Sequence, residues 1–261
     1  MCDLTIKELN DRKHDSCLIS ITVLPAKIFI KERDGISKEK DIYVFTACNI
    51  SGKRKYITTV FKDKYSKTAD WYNFLLTLKN KGIDVILFAL IPDDDNLSRA
   101  LKLAFSNINI VISYYETINK LTKYYTESYS NGLYYDIKNI YLSENLDLYN
   151  LSVNNFKEKY CTYSFISDVF EKDLKRAKTY YKYDYEIRQF VFSYYHHRDL
   201  AKKIRLISNS NSQFNSIDEF VTELIPFIKS TESRIWCSKA TLTSVINKLY
   251  ENYKDLIKSY L

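Results

Sequence analysis

Trp71 to Ile91, WYNFLLTLKNKGIDVILFALI, changes its hydrophobic period halfway along. Trp71, Phe74, Leu75 and Leu78 fall at i, i+3, i+4 and i+7, which is one face of a helix. Gly82 follows as the residue able to take the left-handed cap that ends it. Asp84 to Ile91 is then a continuous apolar run of strand length, the pattern of a strand covered on both faces. A helix leading into a buried strand is the repeating step of an α/β sheet.

Working toward the C-terminus, Leu97, Ala100, Leu101, Ala104 and Phe105 make a second helical stripe, for which Asn96 is the expected N-cap. Ile108 to Tyr115 (INIVISYY) predicts a fifth strand. Toward the N-terminus lie three runs rich in Ile, Val and aromatics: Leu18 to Lys31, Asp41 to Ile50 and Lys55 to Phe61. The turn signals Arg33-Asp34-Gly35 and Ser51-Gly52-Lys53 separate them, which predicts an antiparallel meander. The first 115 residues thus read β-β-β-α-β-α-β, an α/β (α+β) mixed sheet with helices packed on it.

Beyond that point the pattern is mostly helical. Leu200, Ile204 and Ile207 form one stripe; Ile217 to Lys229 and Thr241 to Tyr260 predict two more helices. Ser208 to Ser216 (SNSNSQFNS) is the one low-complexity stretch and is expected to be an exposed loop. The expected organisation is a polar lead over 1–16 and a sheet core over 17–115. A helical insertion follows over 116–190, and C-terminal helices over 191–261 complete the domain.

Composition narrows the classes of function. The chain has 261 residues, long enough to bury a large core, with 46% hydrophobic and 27% charged residues. Only 4 glycines occur, which argues against a Gly-rich phosphate-binding loop. The 24 tyrosines accompany many Lys, Ile and Asn and reflect residue bias more than an aromatic binding face. A net charge of +7 suits a nucleic-acid partner through phosphate neutralisation, although a generally Lys-rich proteome would produce the same excess. Five cysteines at wide spacing, with no CxxC pair, predict reduced thiols and a cytoplasmic location. No apolar run reaches membrane length, and Met1 to Ser16 has no apolar stretch of the kind a secretory signal needs.

Several short segments, in order, resemble the Mutator-type transposases of bacterial insertion sequences. Ala26-Lys27-Ile28-Phe29-Ile30-Lys31-Glu32-Arg33 is similar to the family's first strand. Ser51-Gly52-Lys53-Arg54-Lys55 is similar to its d-G-k-K turn. Trp71 through Gly82 resembles its W-x-x-x-L-x-x-L-K-x-R-G helix, and Tyr183 to Arg188 (YDYEIR) its Y-P-x-E-I-R. Trp236 and the helix after it resemble the family's C-terminal Trp segment. The collinear series, from about Ile21 to Ile257, carries the resemblance; each match alone is weak. It implies an RNase H-like five-stranded sheet in the order 3-2-1-4-5, DNA as partner and a possible homodimer or pairing with a full-length transposase. The family's N-terminal DNA-binding region has no counterpart in the matched segments.

The resemblance also implies three carboxylates holding two divalent metals that activate the attacking oxygen and stabilise the leaving one. Carried over residue by residue, the first-strand Asp falls on Ala26, the fourth-strand Asp on Pro92 and the helical Glu on Arg198. The family's C-x-x-H falls on Ser113-Tyr114-Tyr115-Glu116. None of these supplies the metal ligand, so no metal or other cofactor is expected. The alternative is a shift by one residue, which would restore carboxylates at Asp93 and Asp199 and call for Mg²⁺ or Mn²⁺. Against it, a one-residue slip on a strand turns a side chain to the other face. Asp93 to Asp95 also suit a helix N-terminus.

His196-His197 point about 100° apart on a helix and chelate one metal poorly. Arg188, Lys202, Lys203 and Arg205 are the candidates for phosphate contact, against the plainer expectation of a solvated helix face. Three functions follow: an inactive transposase relative, either an insertion-sequence remnant or a retained DNA- or protein-binding domain; an active nuclease or transposase using shifted carboxylates; and an unrelated α/β interaction domain. A sheet order other than 3-2-1-4-5 would favour the third.

Overall fold

A computed structural model describes residues 5–32, 34–114, 117–118, 127–161, 164–192, 195–209, 213–232 and 237–260. Its centre is a single long strand, β1 (Cys17–Lys31). Among the described residues, β1 joins β2 (Ser37–Asn49), β3 (Arg54–Phe61), β4 (Val85–Ile91) and β5 (Asn109–Ile112) in the order β3-β2-β1-β4-β5. This is the order expected of an RNase H-like sheet. β1, β2 and β3 form the predicted antiparallel meander, and β4 and β5 are added in parallel. Gly35 and Gly52 take positive φ (80° and 72°) in the two hairpin turns, as the turn signals required.

The strand has two different halves. From Cys17 to Thr22 it is paired on both sides, with β2 and with Val85–Leu90 of β4. From Val23 on, only β2 continues beside it until Phe29 and Ile30 meet a short strand, β6 (Gln213–Phe214). The predicted loop over Ser208 to Ser216 therefore contains a sixth strand. Phe214 is 1% exposed and carries that segment into the core, an anchor that polar composition conceals. Residues 210–212 of this stretch lie outside the described residues.

Each face of the sheet has its own core. On one, Leu18, Ile21, Val23 and Phe45 pack against Trp71, Leu75 and Leu78 of α2 (Thr68–Asn80) and Leu97, Ala100 and Leu101 of α3 (Asp95–Ala104). The predicted stripes are the buried stripes. Gly82, at φ 106°, follows the end of α2, where a Cβ would lie 3.2 Å from the carbonyl of His14. On the other face, Ile19, Leu24, Ile28 and Val44 meet the C-terminal helices. These are α4 (Glu127–Leu142), α5 (Leu146–Tyr160), α6 (Ser164–Tyr180), α7 (Tyr185–Val191), α8 (Tyr195–Asn209), α9 (Ile217–Glu232) and α10 (Lys239–Ile257).

The polar lead also folds. Residues Ile6–Asp11 form a short helix, α1, started by a Thr5–Glu8 capping box, and Leu9 is buried in the core. Arg12 just after it donates two hydrogen bonds to Glu232 at the end of α9, 2.8 and 2.7 Å long, and a third to the Tyr56 carbonyl of β3. The expected N-cap of α3 moves by two residues. Asp94 accepts from the Leu97 backbone N–H at 3.0 Å, while Asn96 accepts from Thr68 and donates to the Ser66 carbonyl, joining α3 to the start of α2.

Candidate active site

Parallel pairing of β1 and β4 brings their C-terminal ends to the same edge of the sheet, where open α/β sheets hold their ligands. The last β1–β4 pair is Thr22 with Leu90, so Ala26 and Pro92 both lie just past the point where pairing stops. They line one cavity of about 160 Å³ together with Pro25, Asp41, Tyr43 and Asp93. Two of the three positions singled out from the sequence are thus neighbours, although they are 66 residues apart in the chain. The third, Arg198, lies in α8 with its side chain outside the described residues, as do the side chains of His196 and His197. Tyr115, Glu116 and Trp236 are likewise outside them.

The carboxylates after β4 have separate tasks. Pro92 has no N–H; its carbonyl accepts from Asp94 N–H at 2.8 Å, which closes the turn. Asp94 caps α3 and also accepts from the Tyr43 hydroxyl at 3.2 Å. Asp95 stands in the first turn of α3, where its charge opposes the helix dipole. Asp93 is exposed, and its Oδ2 accepts from Arg176 of α6 at 2.6 Å. Arg176 donates in turn to Asp173, one turn earlier in α6, at 3.2 Å. The Asp173 carboxylate is buried and accepts from the Thr117 hydroxyl at 2.7 Å, while the Tyr141 hydroxyl donates to its backbone carbonyl at 3.2 Å. Burial drives the Tyr141 phenol well above its ordinary pKa, so it stays a neutral donor.

Outside the cavity runs an open groove of about 590 Å³. Glu39, Asp41, Asp63 and the three carboxylates after Pro92 line it, against two lysines, Lys40 and Lys62. A phosphate approaching along it meets net negative charge.

The basic candidates separate. Arg188 is 3% exposed. Its Nε donates to the Tyr183 carbonyl at 3.1 Å, and its terminal nitrogens donate to the carbonyls of Ser143 and Glu144 at 2.5 and 2.8 Å. The guanidinium also stacks over Tyr181, 4.3 Å from the ring centre. It fastens α7 to the loop between α4 and α5 and does not reach solvent, which corrects its expected place among the phosphate contacts. Lys202 and Arg205 are exposed, three residues apart on α8, and Lys203 is half-buried beside them. Asp199 is exposed on the same helix; it is not among the described residues lining the Ala26 cavity.

Arg176 and Asp173 went unnoticed in the sequence. Their i, i+3 spacing marks a pair within a helix, but nothing local connects either to Asp93.

No curated protein matches the chain. Residues 2–234 match the family model described as Transposase, Mutator family, which spans nearly the whole sequence. The collinear motifs, the β3-β2-β1-β4-β5 order and this match agree: the chain belongs to the Mutator family of transposases.

Proposed function

We propose that this chain is a Mutator-family protein that binds DNA through phosphate contacts without cutting it. The observation that carries the reading is the composition of the cavity at the ends of β1 and β4. A pair of divalent ions needs several oxygen ligands converging on one point. Here Ala26 has no side-chain oxygen, Pro92 adds none, Asp93 is engaged by the Arg176 guanidinium, and Asp41, the other carboxylate of the cavity, lies 4.0 Å from Lys27 and shares the cavity with Lys62. Asp94 is committed to the α3 cap and Tyr43. Among the described residues, the side chains at this cavity do not fit the two-metal centre that the family implies, and they support no cleavage step through it.

DNA as partner is supported by family membership and by the net charge of +7. The acidic groove argues that phosphates are met elsewhere, and the exposed face of α8 with Lys202 and Arg205 is the surface we assign. Such contacts hold a duplex without reading its bases.

Two assays on the purified chain test this. Supercoiled plasmid incubated with Mn²⁺ or Mg²⁺ is expected to stay uncut. Duplex binding is expected to weaken with salt, and the Lys202→Ala/Arg205→Ala variant to flatten the log–log salt dependence by roughly 2. Nicking abolished by Asp93→Ala or Asp199→Ala would overturn the reading in favour of shifted carboxylates. Binding that is absent, or indifferent to salt, would remove DNA as the partner.

A further inference from the structure

A strand at the border of a sheet presents a row of N–H and C=O groups on its outer side, a template on which another strand can add. β3 is such a strand: among the described residues its only strand neighbour is β2. The pairing of the two is interrupted at one point. Tyr56 pairs with Thr46 of β2 and Thr58 with the adjacent Phe45, so Ile57 is an extra residue and β3 bends at a bulge. At that bulge both backbone groups of Tyr56 go to side chains. Its N–H donates to Glu232 Oε1 at 2.7 Å, and its carbonyl accepts from Arg12. Arg12 also donates to Glu232, at 2.8 and 2.7 Å. One acceptor and one donor held side by side are what a residue of a neighbouring antiparallel strand offers.

The opposite border is treated alike. Ser113, just past β5, directs its N–H to the Ile91 carbonyl of β4, so the Ile112 carbonyl faces away from the sheet. There it accepts from the Tyr180 hydroxyl at 2.6 Å.

We infer that the Arg12–Glu232 pair stands in for a neighbouring strand on β3 and so blocks a second copy of this chain from adding at that edge. A copy is the partner that fits, because two β3 strands meeting antiparallel across a two-fold axis close both open edges in one contact. Both capping side chains are about four-fifths buried, so an incoming strand must displace a held ion pair, not two loose surface groups.

Molar mass by light scattering, over roughly two decades of micromolar concentration, tests the inference. Glu232→Ala is expected to reach twice the wild-type mass at the upper end, with slower amide exchange at Tyr56 and Thr58 as concentration rises. Glu232→Gln keeps an acceptor and is expected to follow the wild type. Adding Thr58→Lys to Glu232→Ala, at a half-buried position of the same strand, sets like charges against each other across the two-fold axis and should restore the wild-type mass. A folded Glu232→Ala that keeps the wild-type mass at every concentration overturns the inference. So does association that Thr58→Lys leaves in place, which would come from general unfolding or another surface. A wild type whose own association Thr58→Lys reverses would show the edge already open, and overturns it too. Should Glu232→Ala fail to fold, Arg12→Ala bares only the Tyr56 carbonyl and carries the same expectation, with the same ways of failing.

Discussion

Arg188 and Arg176 are both arginines of the helical layer, yet they do different work. Arg188 turns inward onto three carbonyls, and burial lowers its pKa; Arg176 bridges two carboxylates. Burial and partners, not residue type, decide which is a strut and which a counter-ion. His14 makes the same point with a neutral group. It is buried between the end of α2 and the Arg12 clasp, and neither ring nitrogen meets a hydrogen-bond partner among the described residues. Desolvation first, then the charges of Arg12, Lys81 and Lys55, outweigh Asp15 and lower its pKa from 6.5 to about 4. The unfolded chain therefore takes up this proton near pH 6.5 while the folded chain resists it until about pH 4. Stability from this group is whole above the higher value and is lost as pH falls toward the lower, by about 3 kcal/mol. Urea unfolding of the wild type and His14→Phe across that window is expected to show the wild type losing stability faster; parallel curves would remove His14 as the source.

At the scale of elements, β1 explains both the fold and the site. Its first half is paired on both sides and its second half projects past β4, which creates the edge where Ala26 and Pro92 meet. The projecting half is completed by β6, two residues long and held by Phe214 against Phe220 of α9, with ring centres 5.5 Å apart. Phe214→Ala is expected to cost about 3–5 kcal/mol, as for other fully buried aromatics. Hydrogen exchange should quicken at Phe29 and Ile30 more than at Ile19 and Ile21, which β4 also covers. Equal protection in the two halves would show that β6 does not secure the end of the strand. The predicted helices α2 and α3 keep their stripes, because a 3.6-residue period is a local signal that tertiary packing had only to accept.

Across the whole molecule, the N-terminal segment and the end of α9 lock the sheet's outer edge. Glu232, closing α9, accepts from the Arg12 guanidinium and, at 2.7 Å, from the Tyr56 backbone N–H of edge strand β3. A segment expected to be a polar lead is thus part of a clasp joining residues 220 positions apart. Both side chains are about four-fifths buried, so breaking the pair leaves a guanidinium and a backbone N–H short of an acceptor. Glu232→Ala is expected to lower stability by about 2–3 kcal/mol in chemical unfolding. Glu232→Gln should recover part of it by keeping an acceptor for Tyr56. A loss under about 0.5 kcal/mol, the size of an ordinary surface substitution, would mean the clasp is decorative.

Sequence alone determined the order of the elements from β1 to β5, the meander followed by two α/β steps, and the family, since all of these are written in local periods, turn residues and collinear motifs. It also marked Ala26 and Pro92, whose neighbourhood follows from parallel pairing of β1 with β4. Only the tertiary structure decided what became of the charged candidates. Arg188 is buried because α7 packs over the loop between α4 and α5, and Asp93 is paired because α6 delivers Arg176 to it across 83 residues. Phe214 lies in the core because β1 outruns β4 and leaves an open edge. An apolar period acts over a few residues and can be read in order, whereas the partner of a charge is chosen in space.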